Sequence, residues 1–149
     1  MFIRRGLAVG AASMGLVALG APAFAATGDM YGKTCCDPGG ASASGHAEFS
    51  SRYSVKVTSI KLNDLCPGDG DSVYVLVQYQ QQVSGDWVTM ARRENHAGCS
   101  DPDPTAEDPV SYTATSGRMK AVRLRVCVDE TWPNNDDCAD SNVVSNPYP

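Results

Sequence analysis

The sequence predicts an all-β fold: a small immunoglobulin-like β-sandwich of six to seven strands, stapled by disulfides, with a small closed β-barrel as the alternative. Three observations carry this. Short runs of alternating apolar and polar residues recur along the chain, and clusters of turn-forming residues separate them at intervals of about ten residues. No stretch shows helical spacing with caps at both ends. The six cysteines, an even number, supply the staples.

Residues 1–25 read as an export signal rather than as fold. Met1 to Arg5 is a short basic start, residues 6–20 are uncharged and rich in Ala, Leu and Val, and Ala23-Phe24-Ala25 offers small residues where a signal peptidase reads. Cleavage before Ala26 is expected. A membrane anchor would need about 20 strongly apolar residues, and this run is shorter and diluted by Gly and Ser. Arg4-Arg5 fits a twin-arginine signal only loosely, so ordinary secretion is expected. No second apolar stretch follows, so the mature chain is expected to be soluble and extracellular.

Residues 26–45, rich in Gly, Ala and Ser without apolar periodicity, read as a flexible N-terminal arm ahead of a single sandwich domain over residues 46–149. Strand patterns follow. Tyr53, Val55 and Val57 share one face, and Ile60 and Leu62 continue in the opposite phase, which predicts a bulge near Thr58-Ser59 or two short strands. Residues 66–71 are dense in turn formers, and residues 72–81 form the longest β-rich run, apolar on both faces at its start and so a central strand. Ser84-Gly85-Asp86 turns the chain into a hairpin partner over residues 87–92. After a long loop over residues 95–109 come strands at 110–115 and 119–128. In the latter, Val122, Leu124, Val126 and Val128 face in while Arg123 and Arg125 face out. A last loop leads to Cys138 and a final strand near residues 142–145.

In an up-and-down succession of strands, the loops near residues 64–71, 94–108 and 129–140 share one end. Cys66 and Cys99 meet there, and Cys127 and Cys138 flank one hairpin loop, the best-defined pair. Cys35 and Cys36 either bond to each other, which is strained, or pair separately with Cys66 and Cys99 and staple the arm to the loops. There is no CxxC pair, so zinc is not expected. Thirteen of the 17 acids, Asp136 and Asp137 among them, fall on loops of that end. They read as solubilising charge, as a pole that steers a basic partner, or as calcium ligands at Asp69-Gly70-Asp71 and Asp101-Pro102-Asp103, although neither pair has EF-hand spacing.

Without the signal the 12 Lys and Arg lose two, leaving ten against 17 Asp and Glu and a mature net charge of −7. That argues against nucleic acid or an anionic membrane as partner. Catalytic motifs are missing: no G-x-S-x-G, HExxH or phosphate-cradling Gly loop occurs, and the histidines are His46, next to the arm, and His96, in a loop with Asp101 and Asp103. The expectation is therefore a non-enzyme with no cofactor. A carbohydrate-binding module is one alternative, with Trp132 as the exposed aromatic. An inhibitor of an extracellular hydrolase is another. Met30 and Tyr31, in an otherwise polar arm, are candidates to add a strand to a partner's sheet or fill a groove.

The segment Val122-Arg123-Leu124-Arg125-Val126-Cys127-Val128, then Cys138, Asn142-Val143-Val144 and Asn146-Pro147, resembles the end of small secreted β-sandwich proteins of actinobacteria. With its size, signal, acidity and arm, the chain is similar to the small adaptor subunit of umbrella toxin particles. That resemblance implies a non-catalytic linker between a large toxin-bearing subunit and lectin-like subunits, its arm inserted into a partner's cleft. The expectation for function is accordingly a secreted protein–protein interaction module, an adaptor or accessory subunit.

Overall fold

The computed structural model describes residues 26–34, 40–65, 72–95, 108–129 and 136–148. They form two antiparallel sheets packed face to face. The strands are β1 (Ala26–Lys33), β2 (Ala41–Phe49), β3 (Ser54–Asp64), β4 (Ser72–Gln81), β5 (Trp87–Asn95), β6 (Val110–Thr113), β7 (Met119–Asp129), β8 (Asp137–Asp140) and β9 (Val144–Ser145). The first sheet has the order β1-β2-β3-β6, and the second β5-β4-β7-β8, with β9 also paired to β7. Leaving β1 aside, this is the immunoglobulin arrangement, with strands A-B-E on one layer and C′-C-F-G on the other. Two layers, rather than a closed barrel, decide between the two expected architectures.

The flexible arm expected over residues 26–45 is corrected: β1 and β2 are fully paired from Ala26↔Phe49 to Lys33↔Ser42 and belong to the sandwich. The inward face of β2 reads Ala41, Ala43, Gly45, Ala47, Phe49, all buried. That is strict alternation, but in residues of weak β propensity, so it lacks the usual strand signature. Small side chains are required there because large ones fill the space from opposite. A Cβ on Gly45 would sit 3.4 Å from Leu124 Cδ1 of the facing sheet and 3.6 Å from Ile60 Cγ1. Met30 of β1, 1% exposed, completes the same layer. It is core, which corrects its expected role as a partner contact.

The bulge expected in β3 is present. Ser44 pairs with Lys61 and His46 with Thr58, so the chain gains a residue opposite Gly45, and Ser59 takes φ 52°. The slip keeps Val55, Val57, Ile60 and Leu62 all inside. Against them pack Val75 and Val77 of β4, flanked on both sides as a central strand, and Val122, Leu124 and Val126 of β7. The nine strands among the described residues exceed the expected six to seven because β1 and β2 are strands and the C-terminal strand comes in two pieces.

That C-terminal strand ties the layers together. It follows β7 through β8, with Cys127 directly opposite Cys138 and bonded to it, Cα–Cα 4.1 Å. At Ser141 the ladder continues with a side chain in place of backbone: its N–H donates to the Leu124 carbonyl at 2.8 Å, and the Leu124 N–H donates to its Oγ at 3.0 Å. Asn142 is thereby freed to reach the other sheet. The Tyr31 N–H donates to Asn142 Oδ1 at 2.8 Å, and Asn142 Nδ2 donates to the Asp29 carbonyl at 2.7 Å. One amide thus caps the open edge of β1 with the two bonds a neighbouring strand would make. Close approach requires the glycines of β1: a Cβ on Gly28 would lie 2.8 Å from Val144 Cγ1, and one on Gly32 3.1 Å from the Ser141 backbone nitrogen.

Asn142→Ala should therefore cost about 0.5–1.5 kcal/mol, because two solvent-exposed β1 groups exchange a protein partner for water. Urea unfolding and amide exchange along β1 will measure it, and an unchanged midpoint with unchanged β1 protection would contradict the clamp. Replacing Cys127 and Cys138 together by Ala should cost about 2–3 kcal/mol through the opened hairpin loop, read from the same unfolding curves.

Candidate interaction surface

The solvent face of the second sheet is built in rows set by strand register. Gln78 of β4 lies opposite Thr89 of β5 on one side and Arg123 of β7 on the other. Its amide satisfies both neighbours: Nε2 donates to Thr89 Oγ1 at 3.2 Å, and Oε1 accepts from Arg123 Nε at 3.0 Å. Arg123 then donates through Nη1 to Asp140 Oδ2 at 2.6 Å and lies over the Trp87 ring, 4.0 Å from its centroid. Burial lowers the Arg123 pKa and Asp140 opposes that shift. Asp140 also accepts from Arg125 at 3.5 Å, so one carboxylate serves two guanidinium groups.

A second stack sits toward the loop end. The Arg92 guanidinium covers the Tyr74 ring at 3.7 Å and pairs with Glu94 at 2.8 Å and Asp129 at 3.3 Å. Beneath it Tyr74, on the solvent face of β4, is only 6% exposed. Its hydroxyl donates to Asp136 Oδ2 at 2.5 Å. Desolvation, then this bond to a carboxylate, push the Tyr74 pKa up to about 12. The two stacks arrange Trp87, Tyr74, Arg92 and Arg123 on one flat face, rimmed by Glu94, Asp129, Asp136 and Asp140.

The sequence-predicted residues fall as follows. Asp136 directly precedes β8 and Asp137 begins it, both exposed, and Asp136 is joined to the stack through Tyr74. Tyr31 is 59% exposed on β1, on the other layer. Met30 is buried, and His46 faces Asp29 across β1 and β2, Nδ1 to Oδ1 2.7 Å. The Cys127–Cys138 bond is formed. Trp132, Cys35, Cys36, Cys66, Cys99 and His96 lie outside the described residues, as do Asp69, Asp71, Asp101 and Asp103 of the calcium reading. The loop flanks do gather at one end: the Leu65 N–H donates to the Gly40 carbonyl at 2.7 Å, Asn95 Nδ2 to the Leu62 carbonyl at 3.1 Å, and Ser72 pairs with Asp129. Among the described residues no three His, Cys, Asp or Glu are placed to hold a metal ion.

The stacks themselves were missed. Their signal was present as outward-facing Arg123 and Arg125 on a strand beside residues 72–81, but pairing a given Arg with a given ring needs the register.

The fold and this face define a class, a two-layer immunoglobulin-like sandwich with an arginine–aromatic sheet surface. No family model matches the chain, and no curated protein or solved structure matches it.

Because the neutral phenol is the form bonded in the folded state, Tyr74 contributes stability that is fully present below pH 10 and lost as pH rises toward 12. Tyr74→Phe should therefore be less stable than wild type at pH 8, with the gap closing at pH 11.5. In absorbance titration at 295 nm, the phenolate missing from the variant should be one that forms near 12. If the missing step falls near 10, the bond to Asp136 is not made in solution.

Proposed function

We propose that this protein is a secreted, non-catalytic protein–protein interaction module, an adaptor or accessory subunit of an extracellular assembly. One observation carries the reading. Arg92 and the partly exposed Trp87 stand on one sheet face, held in place by stacking on the buried Tyr74 and the largely buried Arg123 and by carboxylates. Aromatic residues and arginine are the types that dominate binding hot spots, and side chains already fixed before binding lose little entropy on association. The neighbouring Asp136 and Asp137 add a field that steers a basic partner.

The export signal read in residues 1–25 and the Cys127–Cys138 bond support an oxidising, extracellular location. Among the described residues no helix is long and apolar enough to cross a membrane. The resemblance to the adaptor subunit of umbrella toxin particles leads to the same reading, with a toxin-bearing subunit and lectin-like subunits as the partner class. The arm-insertion element of that resemblance is set aside, since β1 is paired on one edge and capped on the other.

Tagged protein recovered from the culture medium of its own source tests this. Partners that co-purify with wild type should fall at least about tenfold in yield with Trp87→Ala or with Asp136→Lys and Asp137→Lys combined, hot-spot losses of about 1.4 kcal/mol or more. Equal recovery with all three proteins, each folded by thermal melting, would place the contact surface elsewhere.

A further inference from the structure

The outward polar groups of the two sheets are finished differently. On the second sheet Gln78, Arg123 and Asp140 bond one another. On the first, two adjacent rows of outward side chains leave bonding groups open. One row is Tyr31, Ser44 and Lys61 across β1, β2 and β3, and the next is Asp29, His46 and Thr58. Between them the paired backbones of Met30 and Gly45 floor a shallow, open cavity of about 450 Å³, rimmed by Asp29, Ser44, His46, Ser59 and Lys61. Asp29 Oδ1 and His46 Nδ1 are 2.7 Å apart. A carboxylate can only accept, so Nδ1 carries a proton and Nε2 is left for another partner. Among the described residues, neither Nε2, the second Asp29 oxygen, the Ser44 and Ser59 hydroxyls nor the Lys61 ammonium has a protein partner. Two features set this recess apart from ordinary solvated sheet surface. Ser59 holds φ 52° at the bulge, a conformation glycine adopts more easily, and its hydroxyl makes no local bond that offsets the strain. Tyr31 stands beside the recess, across from Ser44, 59% exposed and without a ring contact.

We propose that this face binds a neutral, β-linked saccharide of glucose configuration, with one sugar ring stacked on Tyr31 and hydroxyls of the chain bonded in the recess. Charge excludes an ion as the preferred ligand, because the Asp29 carboxylate and the Lys61 ammonium cancel across the cavity. What remains is a close set of acceptors, a donor and hydroxyls that do both. Neighbouring hydroxyls of a sugar, each a donor and an acceptor, match such a set. The ring completes the match: a sugar whose hydroxyls are all equatorial presents its axial C–H bonds as an apolar face, which the negative face of an aromatic ring attracts. A chain of such units is a flat ribbon, and a flat sheet face accepts it without a deep cleft. The site lies on the sheet opposite Trp87, so it stands independently of the adaptor reading.

The test titrates the isotope-labelled protein with cellotetraose and with chitotetraose at millimolar concentration and follows its amide spectrum. At least one of the two should shift the amides of Tyr31, Ser44, His46 and Ser59 selectively. Tyr31→Ala, which keeps the backbone bond to Asn142, should weaken that binding about tenfold. Ser59→Gly should weaken it about threefold to tenfold through one lost hydrogen bond. The same variant should melt no lower than wild type, because glycine relieves the left-handed residue. A purely structural serine would move melting and leave binding alone. No shift with either saccharide, shifts centred on another surface such as that around Trp87, or wild-type affinity in either folded variant overturns the proposal.

Discussion

A single carboxamide, that of Asn142, joins the two layers of this sandwich along one side. It occupies the position of a missing strand beside β1, giving and receiving one backbone hydrogen bond. Everything near it is arranged to let it get there. Ser141 replaces a backbone carbonyl with its hydroxyl so that the ladder to Leu124 survives the departure of the chain from β7. Gly28 and Gly32 remove the two side chains that would hold β1 away. Met30, between them, then reaches fully into the core. An exposed edge strand invites pairing with other chains, and this is a local way to prevent it.

Register has an equally direct consequence on the second sheet. Because Gln78 faces Arg123, and Leu76 faces Arg92 and Arg125 on its two sides, the arginines are brought into adjacent rows on one face. Three guanidinium groups so close would repel one another, and the sheet answers with carboxylates at its margins: Glu94 and Asp129 at Arg92, Asp140 shared between Arg123 and Arg125. Exposed ion pairs of this kind contribute little individually, about 0–1 kcal/mol each. Their effect here is positional. Arg123, with its side chain only 13% exposed, is fixed by Gln78, Asp140 and the Trp87 ring at once. Trp87 in turn is covered by the Arg123 guanidinium, 4.0 Å from its ring centroid.

How far the sequence speaks depends on what each strand had to accommodate. β7 was legible because its inward residues are all large and branched and its outward ones include two arginines, so both faces declare themselves. The bulge in β3 was legible because a one-residue slip inverts the apolar phase between Val57 and Ile60. β2 was not, although its alternation is as strict: its inward Ala and Gly residues are small because Leu124, Ile60 and Met30 fill the volume from other strands, and that is a fact about three-dimensional packing. Its neighbour β1 went with it, since a strand of Gly, Asp and Lys has no apolar face until Met30 is given a place to point. The Cys127–Cys138 bond could be read because both partners flank one hairpin. Asn142 could not, because its partners are 111 and 113 residues away.

The charge of the chain takes on a different meaning once it is placed on this frame. An excess of acid suggests a surface that repels polyanions. On the structure, part of that acid is committed to fixing arginines: Glu94, Asp129 and Asp140 each hold a guanidinium group, and Asp136 holds the Tyr74 hydroxyl under one. The acids thus convert flexible cations into ordered ones, and the ordered cations and rings lie on the sheet that ends in β5. The sandwich is bound across its layers by the Asn142 side chain at the β1 edge, and its fixed arginines are spread over the second sheet, Arg92 on β5 and Arg123 and Arg125 on β7 beside β8.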